Sequence, residues 1–496
     1  MLNLHTTTTF QVVDGPAKPM KSLYVKQFVD ETLGNSSYLI ASEETGEAAV
    51  IDPQRDVYKH LQTADGLGLK LTYALDSHLH ADFVSGAHEL AHRLGLPHKH
   101  EHHRPPFQIG ASTAAKAEFK HIALKEGDRL SLGNLSLGIL STPGHTPEHI
   151  SFAAYAEKSE KPGALFSGGS LIVGGTGRPD LLGHEHTVPL AHDLYHTLHD
   201  KIALLPDDVI VYPTHGAGSF CNTTSSGARF TTIGQERQTN PFFQLTDEEA
   251  FVKRATTGLS SYPTYYHHSR AINRKGARIL GGIPLLAPLS PESVQKQIQA
   301  GAVVIDIRAS RQFIAGHIPN AYGIPLVSPL TTWAGWVVPF GSPIVLVADS
   351  PEERAEAVLQ LIRIGYDDLR GYLAGGLEAW QGAGFSIARW HSVSARDLHA
   401  WLKNAEKPFV LDVRYNSEWT QGHIRGARHL EAGSLPEVAR AVLPDDRPLV
   451  VHCARGNRST VALSILEQKG FKNLYALEDG LARWVGAGYE TVQGGE

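Results

Sequence analysis

The stretch His452-Cys453-Ala454-Arg455-Gly456-Asn457-Arg458-Ser459 carries the most specific chemical signal in the chain. An apolar run, Leu449 to Val451, leads into a cysteine, then a short loop with one glycine and two arginines, then a helical pattern. Backbone N–H groups of such a loop converge on its centre, and the next helix turns its positive end the same way. A thiol held there is expected to react as a thiolate nucleophile. Arg455 and Arg458 offer forked donors to an anionic substrate, and Ala454, Gly456, Asn457 and Ser459 complete the ring around it. Cysteine phosphatases and sulfurtransferases both use loops of this type. The loop from Cys453 to Arg458 is six residues long, tight for phosphate and suited to a single sulfane sulfur.

Histidine supplies a second chemistry. Ser77-His78-Leu79-His80-Ala81-Asp82-Phe83 follows a strand-like run, and Thr142-Pro143-Gly144-His145-Thr146 and Tyr212-Pro213-Thr214-His215-Gly216 sit between a strand pattern and a turn. Two histidines one residue apart on an extended loop can address one ion, and neutral imidazole suits zinc and iron. The candidate ligands are His78, His80 and His145, with Asp82 and His215 as neighbours. The run His98 to His103 has no framing strand and reads as a solvated loop, and Cys221 reads as a structural thiol.

The elements that position these residues follow from pattern. Short β-branched runs, Val303 to Ile307, Ile344 to Val347, Phe409 to Val413 and Leu449 to His452, are apolar throughout, as expected of parallel strands covered on both faces. They belong to two copies of one unit: Asp306, Arg308 and Gly316-His317 answer Asp412, Arg414 and Gly422-His423. Residues 22–258 form a separate histidine-rich region, 259–285 a connector, 286–390 the first copy and 391–496 the second. With 496 residues, 42% hydrophobic and 19% charged, an α/β multidomain protein is expected. A net charge of −6 makes nucleic acid a poor partner. No apolar run reaches the roughly 18 residues of a membrane span. Two cysteines fit a reducing, cytoplasmic setting, and a homodimer is left open.

The last copy resembles the rhodanese family in its LDVR strand, GHI-x-GA segment, cysteine loop and closing DGL-x-x-W. The resemblance implies that Cys453 accepts sulfur from thiosulfate or a persulfide and passes it to an acceptor thiol or sulfite. In the first copy, matching Arg354 to Arg458 puts Asp349 where the cysteine is expected, so that copy is degenerate. The order HxHxD, PGHT, THG resembles the metallo-β-lactamase fold, an αββα sandwich with ligands on loops at one edge. The GRPDLLG phrase, Gly177 to Gly183, and the rhodanese units bring it close to persulfide dioxygenases fused to rhodanese domains, with glyoxalase II as a further relative. That resemblance implies Fe(II), with Zn as the other metal, held by two histidines and a carboxylate, and a low-molecular-weight thiol persulfide oxidised by O2 to sulfite.

The chain departs from that pattern at two positions. Gly169, in Phe166-Ser167-Gly168-Gly169-Ser170, stands where the carboxylate is expected, and Phe83 replaces the second-site histidine of two-metal hydrolases. Three arrangements stay open: a three-histidine site, Asp82 or Asp180 as substitute carboxylate, or a metal-poor scaffold. Sulfur transfer alone, persulfide sensing and thioester hydrolysis are the corresponding alternatives in function.

Overall fold

The structure, a computed structural model, describes residues 10–13, 20–95, 107–223 and 227–494. The histidine run 98–103 lies outside them. The chain packs as two compact units, one reaching to Ile283 with residues 362–365 added, the other formed by 284–361 and 366–496. Among the described residues no helix is long and apolar enough to cross a membrane.

Alternation along the strands builds the first unit. In Asn35–Ser42, Tyr38 and Ile40 face one way, and Leu39 and Ala41 the other, as the two-residue period requires. Tyr38, Ile40, Ile51 and Leu75 pack against Leu137, Ile139, Phe152, Phe166 and Tyr212 of a second sheet. Leu39, Ala41 and Val50 pack on Ala64, Ala87 and Leu90, from the helices Tyr58–Gly66 and Ala87–Gly95. On the far side, Ala153, Leu165 and Val211 meet Ala191, Leu194 and Phe251, from the helices His184–His196 and Glu248–Thr256. The result is a seven-stranded and a six-stranded sheet face to face with helices outside, the expected αββα sandwich.

Four strands, Lys70–Leu75, Leu135–Ser141, Ala164–Gly168 and Ile210–Pro213, stop at the edge where the histidine loops begin. Backbone bonds tie these loops together: Ile150 N–H to Ser77 O at 2.8 Å and Thr214 N–H to Gly168 O at 2.9 Å.

The stretch expected to be a connector carries the helix Tyr266–Lys275, whose buried positions are Tyr266, Ser269 and Asn273. Their spacing is helical, but a polar and aromatic face gives no aliphatic stripe to read.

The second unit contains two five-stranded, all-parallel sheets with the same strand order. The residues matched between the repeats do the same work in each. Arg308 clasps Asp306 and donates to Gly316 O at 2.9 Å; Arg414 clasps Asp412 and donates to Gly422 O at 2.8 Å. The two repeats also grip one another. Glu467, on the helix Asn457–Gln468, accepts from Trp390 Nε1 at 2.8 Å and Asn320 N–H at 3.2 Å, and pairs with His317 Nε2 at 2.8 Å.

Burial alone would raise the Glu467 carboxyl, but His317, the Asn320 amide and Trp390 hold it below its usual range. A depressed carboxyl stabilises the fold above its unfolded value of about 4.3. That stability is lost as pH falls through the lower folded value. Glu467→Gln is expected to cost on the order of 1–3 kcal/mol at pH 7. The gap between its thermal-melting curve and that of the native chain should close as pH drops below about 4.3; a gap that stays constant with pH would refute the assignment.

Candidate active sites

The sandwich edge gathers buried imidazoles whose rings lie close: His78 is 4.1 Å from His80, 4.9 Å from His145 and 5.4 Å from His215 between centroids. Each ring has one nitrogen committed to the protein. His78 Nδ1 meets Ser77 Oγ at 2.9 Å, and because Ser77 Oγ donates to Asp52 Oδ2, it accepts from the ring. His80 Nε2 donates to Asp52 Oδ1 at 3.1 Å. His145 Nδ1 donates to Arg178 O at 2.8 Å. His215 Nδ1 donates to Asn35 Oδ1 at 3.0 Å, with Asp82 Oδ2 at 3.3 Å. The opposite nitrogens of His78, His80 and His215 are buried with no hydrogen-bond partner among the described residues.

Unpaired buried polar atoms are costly, and lone pairs facing one another are what a metal ion satisfies. One donor atom each from His78, His80 and His215 falls within 4.8 Å of the others, as do donors from His145, His215 and Cys221. The donor set therefore fits a transition metal. Burial, with the neighbouring imidazoles, pushes His78 and His145 well down, which keeps them in the neutral form a metal requires.

Asp82 sits one layer back. It accepts from Asn35 Nδ2 at 2.8 Å and faces His215, the carboxylate–histidine arrangement that orients a ligand ring. Burial would raise its carboxyl, but His215, His80 and Asn35 outweigh that and hold it low. Asp180 is clasped by Arg178 at 2.6 and 2.7 Å. His149, fully buried and pushed down to about 3 by desolvation, accepts Gly169 N–H at 2.8 Å.

Several positioning residues had no sequence signal. Asp52 binds Ser77 N–H at 2.7 Å, and Thr214 Oγ1 as well as His80. Asn273 donates to His80 O and Phe83 O at 2.8 Å each, Tyr265 donates to Asp82 O at 2.6 Å, and Arg270 pairs with Glu148.

At Cys453 the strand Leu449–His452 stops and the helix Asn457–Gln468 starts after Gly456. Gly456 N–H donates to Cys453 Sγ at 3.1 Å, and Ser459 Oγ lies 3.8 Å from the sulfur. The closing segment braces the loop from behind: Leu481 N–H donates to Cys453 O at 2.8 Å and Ala482 N–H to Ala454 O at 3.0 Å. Gly480 allows this approach, because its φ is +58° and a Cβ there would fall 2.3 Å from Cys453 O. Arg455 is exposed. Arg458 binds Glu418, Nη2 to Oε1 at 2.8 Å, and its guanidinium lies over the Tyr415 ring. Asn457 Oδ1 accepts from Ser310 Oγ of the first repeat at 3.1 Å, and Arg311 pairs with Asp479 at 3.0 Å.

The metallo-β-lactamase superfamily matches residues 31–215, and the rhodanese-like domain matches 290–383 and again 394–487. The mitochondrial persulfide dioxygenase ETHE1 of Mus musculus is 32% identical over 220 residues, 44% of this chain and 74% of that relative. The chain belongs to the metallo-β-lactamase superfamily, among the relatives of the persulfide dioxygenases. Two rhodanese-like domains follow that fold. A hydroxyacylglutathione hydrolase of Polaromonas sp. is 36% identical over 183 residues, 36% of this chain and 62% of that protein. The crystal structure of a metallo-β-lactamase from Staphylococcus aureus subsp. aureus COL matches with a TM-score of 0.61 at 30% identity, covering 71% of this chain and 99% of its own.

Within this superfamily member the two departures seen in sequence have structural counterparts. A Cβ on Gly169 would lie 2.4 Å from Cδ2 of His145, and one on Gly177 would lie 2.7 Å from its Nδ1. The His145 ring thus fills the space a side chain at 169 would need. Phe83 stacks on His80 at 4.1 Å, where it brings no donor atom. In the first rhodanese-like repeat the amides of Asp349 and Ser350 donate to the carboxylate of Glu353 at 3.0 and 3.1 Å, and Asp349 itself accepts from Gln312 at 2.9 Å. The chain's own carboxylate holds the amides an anion would use.

Gly169→Ala is therefore expected to displace the His145 ring. Thermal stability should fall by about 1–3 kcal/mol, as for overpacking, and metal bound per chain should drop. Unchanged melting and metal content would show that the ring yields without consequence.

Proposed function

We propose that this chain is a sulfur-metabolism enzyme with two working centres, a sulfurtransferase at Cys453 and a metal centre that acts on a low-molecular-weight thiol persulfide. The observation that carries the reading is the Cys453 sulfur, receiving the Gly456 amide at 3.1 Å inside a six-residue loop present in one repeat and replaced by acidic residues in the other. In the first half-reaction the Cys453 thiolate attacks the outer sulfur of thiosulfate. A Cys453–S–S⁻ persulfide forms and sulfite leaves with the electron pair of the broken S–S bond. In the second, an acceptor thiolate or sulfite takes the outer sulfur and Cys453 returns as thiolate. The loop amides stabilise charge on the transferring sulfur. Arg455 supplies an exposed cation for the oxyanion end, and Arg458, paired with Glu418, fixes the start of the helix that follows the loop.

At the histidine centre, His78, His80, His145 and His215 would hold the metal, Fe(II) in this reading with Zn as the other choice. A bound iron supplies open positions for persulfide and O2. The net reaction is RSSH + O2 + H2O to RSH + sulfite + two protons. The protein's part is to fix ring orientation through Asp52, Asp82 and Arg178 O, and to bury the donors away from water. A second reading, sulfur transfer alone beside a silent metal centre, is favoured by Gly169, where the expected carboxylate is missing. Phe83, at the second-metal position, argues against thioester hydrolysis. The compartment proposed is the cytoplasm.

Thiosulfate treatment should add one sulfur mass to Cys453, and Cys453→Ser should abolish transfer to cyanide. His215→Ala should lose bound metal and O2 uptake with glutathione persulfide while transfer at Cys453 continues. If Cys453 stays unmodified with every donor, the sulfurtransferase assignment falls. If metal-loaded chain takes up no O2 with persulfide, the second reading replaces the first.

A further inference from the structure

Cys221 lies on the segment that returns past the metal centre. It is buried, and its carbonyl accepts from Arg178 N–H at 2.9 Å. Arg178 O in turn receives the His145 Nδ1 proton, so one short piece of backbone fixes both the cysteine and the histidine. Cys221 Sγ and one nitrogen each of His145 and His215 fall within 4.8 Å of one another. The His215 Nε2 atom is fully buried and has no hydrogen-bond partner among the described residues, and Asp82 holds its ring from behind. The His145 tautomer set by Arg178 O leaves its Nε2 as a lone-pair donor.

We propose that Cys221 is a ligand of the metal centre, supplying as a thiolate the anionic donor that Gly169 does not. The inference rests on the metal-binding reading above and changes the donor set from nitrogen alone to nitrogen and sulfur. A thiolate neutralises one unit of the ion's charge, as a carboxylate does, and a softer donor shifts preference toward zinc and other thiophilic metals. The ligand proton leaves to solvent when the metal binds. Tyr266, buried beside Cys221, would then be placed to donate to the thiolate and orient it.

The chain contains only two cysteines, Cys221 and Cys453, so sulfur ligation is assignable. The full chain is loaded with one equivalent of Zn(II) or Co(II). X-ray absorption at the zinc edge should show one sulfur at about 2.3 Å beside nitrogen at about 2.0–2.1 Å. The Co(II) form should show a near-ultraviolet sulfur-to-metal charge-transfer band. Both signals should persist in Cys453→Ser and vanish in Cys221→Ala. Cys221→Asp should still bind one metal, with the sulfur contribution replaced by oxygen and the band gone; this variant serves if the alanine form fails to fold. Metal bound through nitrogen and oxygen only in the native chain would overturn the cysteine ligand and leave the metal centre standing. Failure of the native chain to bind Zn(II), Co(II) or Fe(II) would overturn both.

Discussion

The histidine centre depends on one constraint: each buried imidazole has a nitrogen tied to a protein acceptor, and the direction of the other nitrogen follows. Asp52 is the hub of this arrangement. Its carboxylate is fully buried and takes bonds from Ser77 N–H, Ser77 Oγ, Thr214 Oγ1 and His80 Nε2. Burying a carboxylate costs several kcal/mol unless its lone pairs are met, and here they are met from two different loops. The same interactions that offset that cost also fix His80 directly and His78 through Ser77. Asn35, with Asp82 beside it, does the equivalent for His215, and a backbone carbonyl does it for His145.

A comparable logic separates the two rhodanese-like repeats. Each keeps its Asp–Arg clasp, Asp306 with Arg308 and Asp412 with Arg414, because the clasp closes the segment that ends at Gly316 or Gly422. The chemistry sits elsewhere, in the loop after the neighbouring strand, and can be lost without disturbing the clasp. In the first repeat the Glu353 carboxylate satisfies the loop amides, which removes any demand for an anion. What that repeat contributes instead is support for the helix after Cys453, gripped at its start through Asn457 and at its end through Glu467. A unit that has lost its nucleophile can thus still hold its neighbour's in position.

Local motifs were legible in the chain because their residues lie within a few positions of one another. His78 with His80, the Cys453 loop, the strand runs and the degenerate Asp349 loop all read directly. Residues that act across long separations did not. Asn273 holds His80 O and Phe83 O from about 190 positions away, and its helix buries Tyr266, Ser269 and Asn273, a face without the aliphatic stripe that marks most helices. Asp82 stood in the motif as a candidate ligand, yet its partners Asn35 and His215 come from other loops, and only the folded arrangement sets it behind the ring. Cys221 carried no framing motif at all.

Gly169 joins these threads. Read along the chain, it is a deletion: a ligand type replaced by a residue with nothing to offer. In the fold it is also a permission, because the absence of a Cβ admits the His145 ring to that space. The ring could not stand there beside an aspartate, since even the first side-chain carbon would fall 2.4 Å from it. The position of His145, its bond to Arg178 O and its proximity to Cys221 are therefore coupled to the glycine. Restoring the aspartate alone would ask one space to hold two side chains, so a return to the family's donor set requires the His145 ring to move as well. Loss of the carboxylate and placement of the histidine are one structural change.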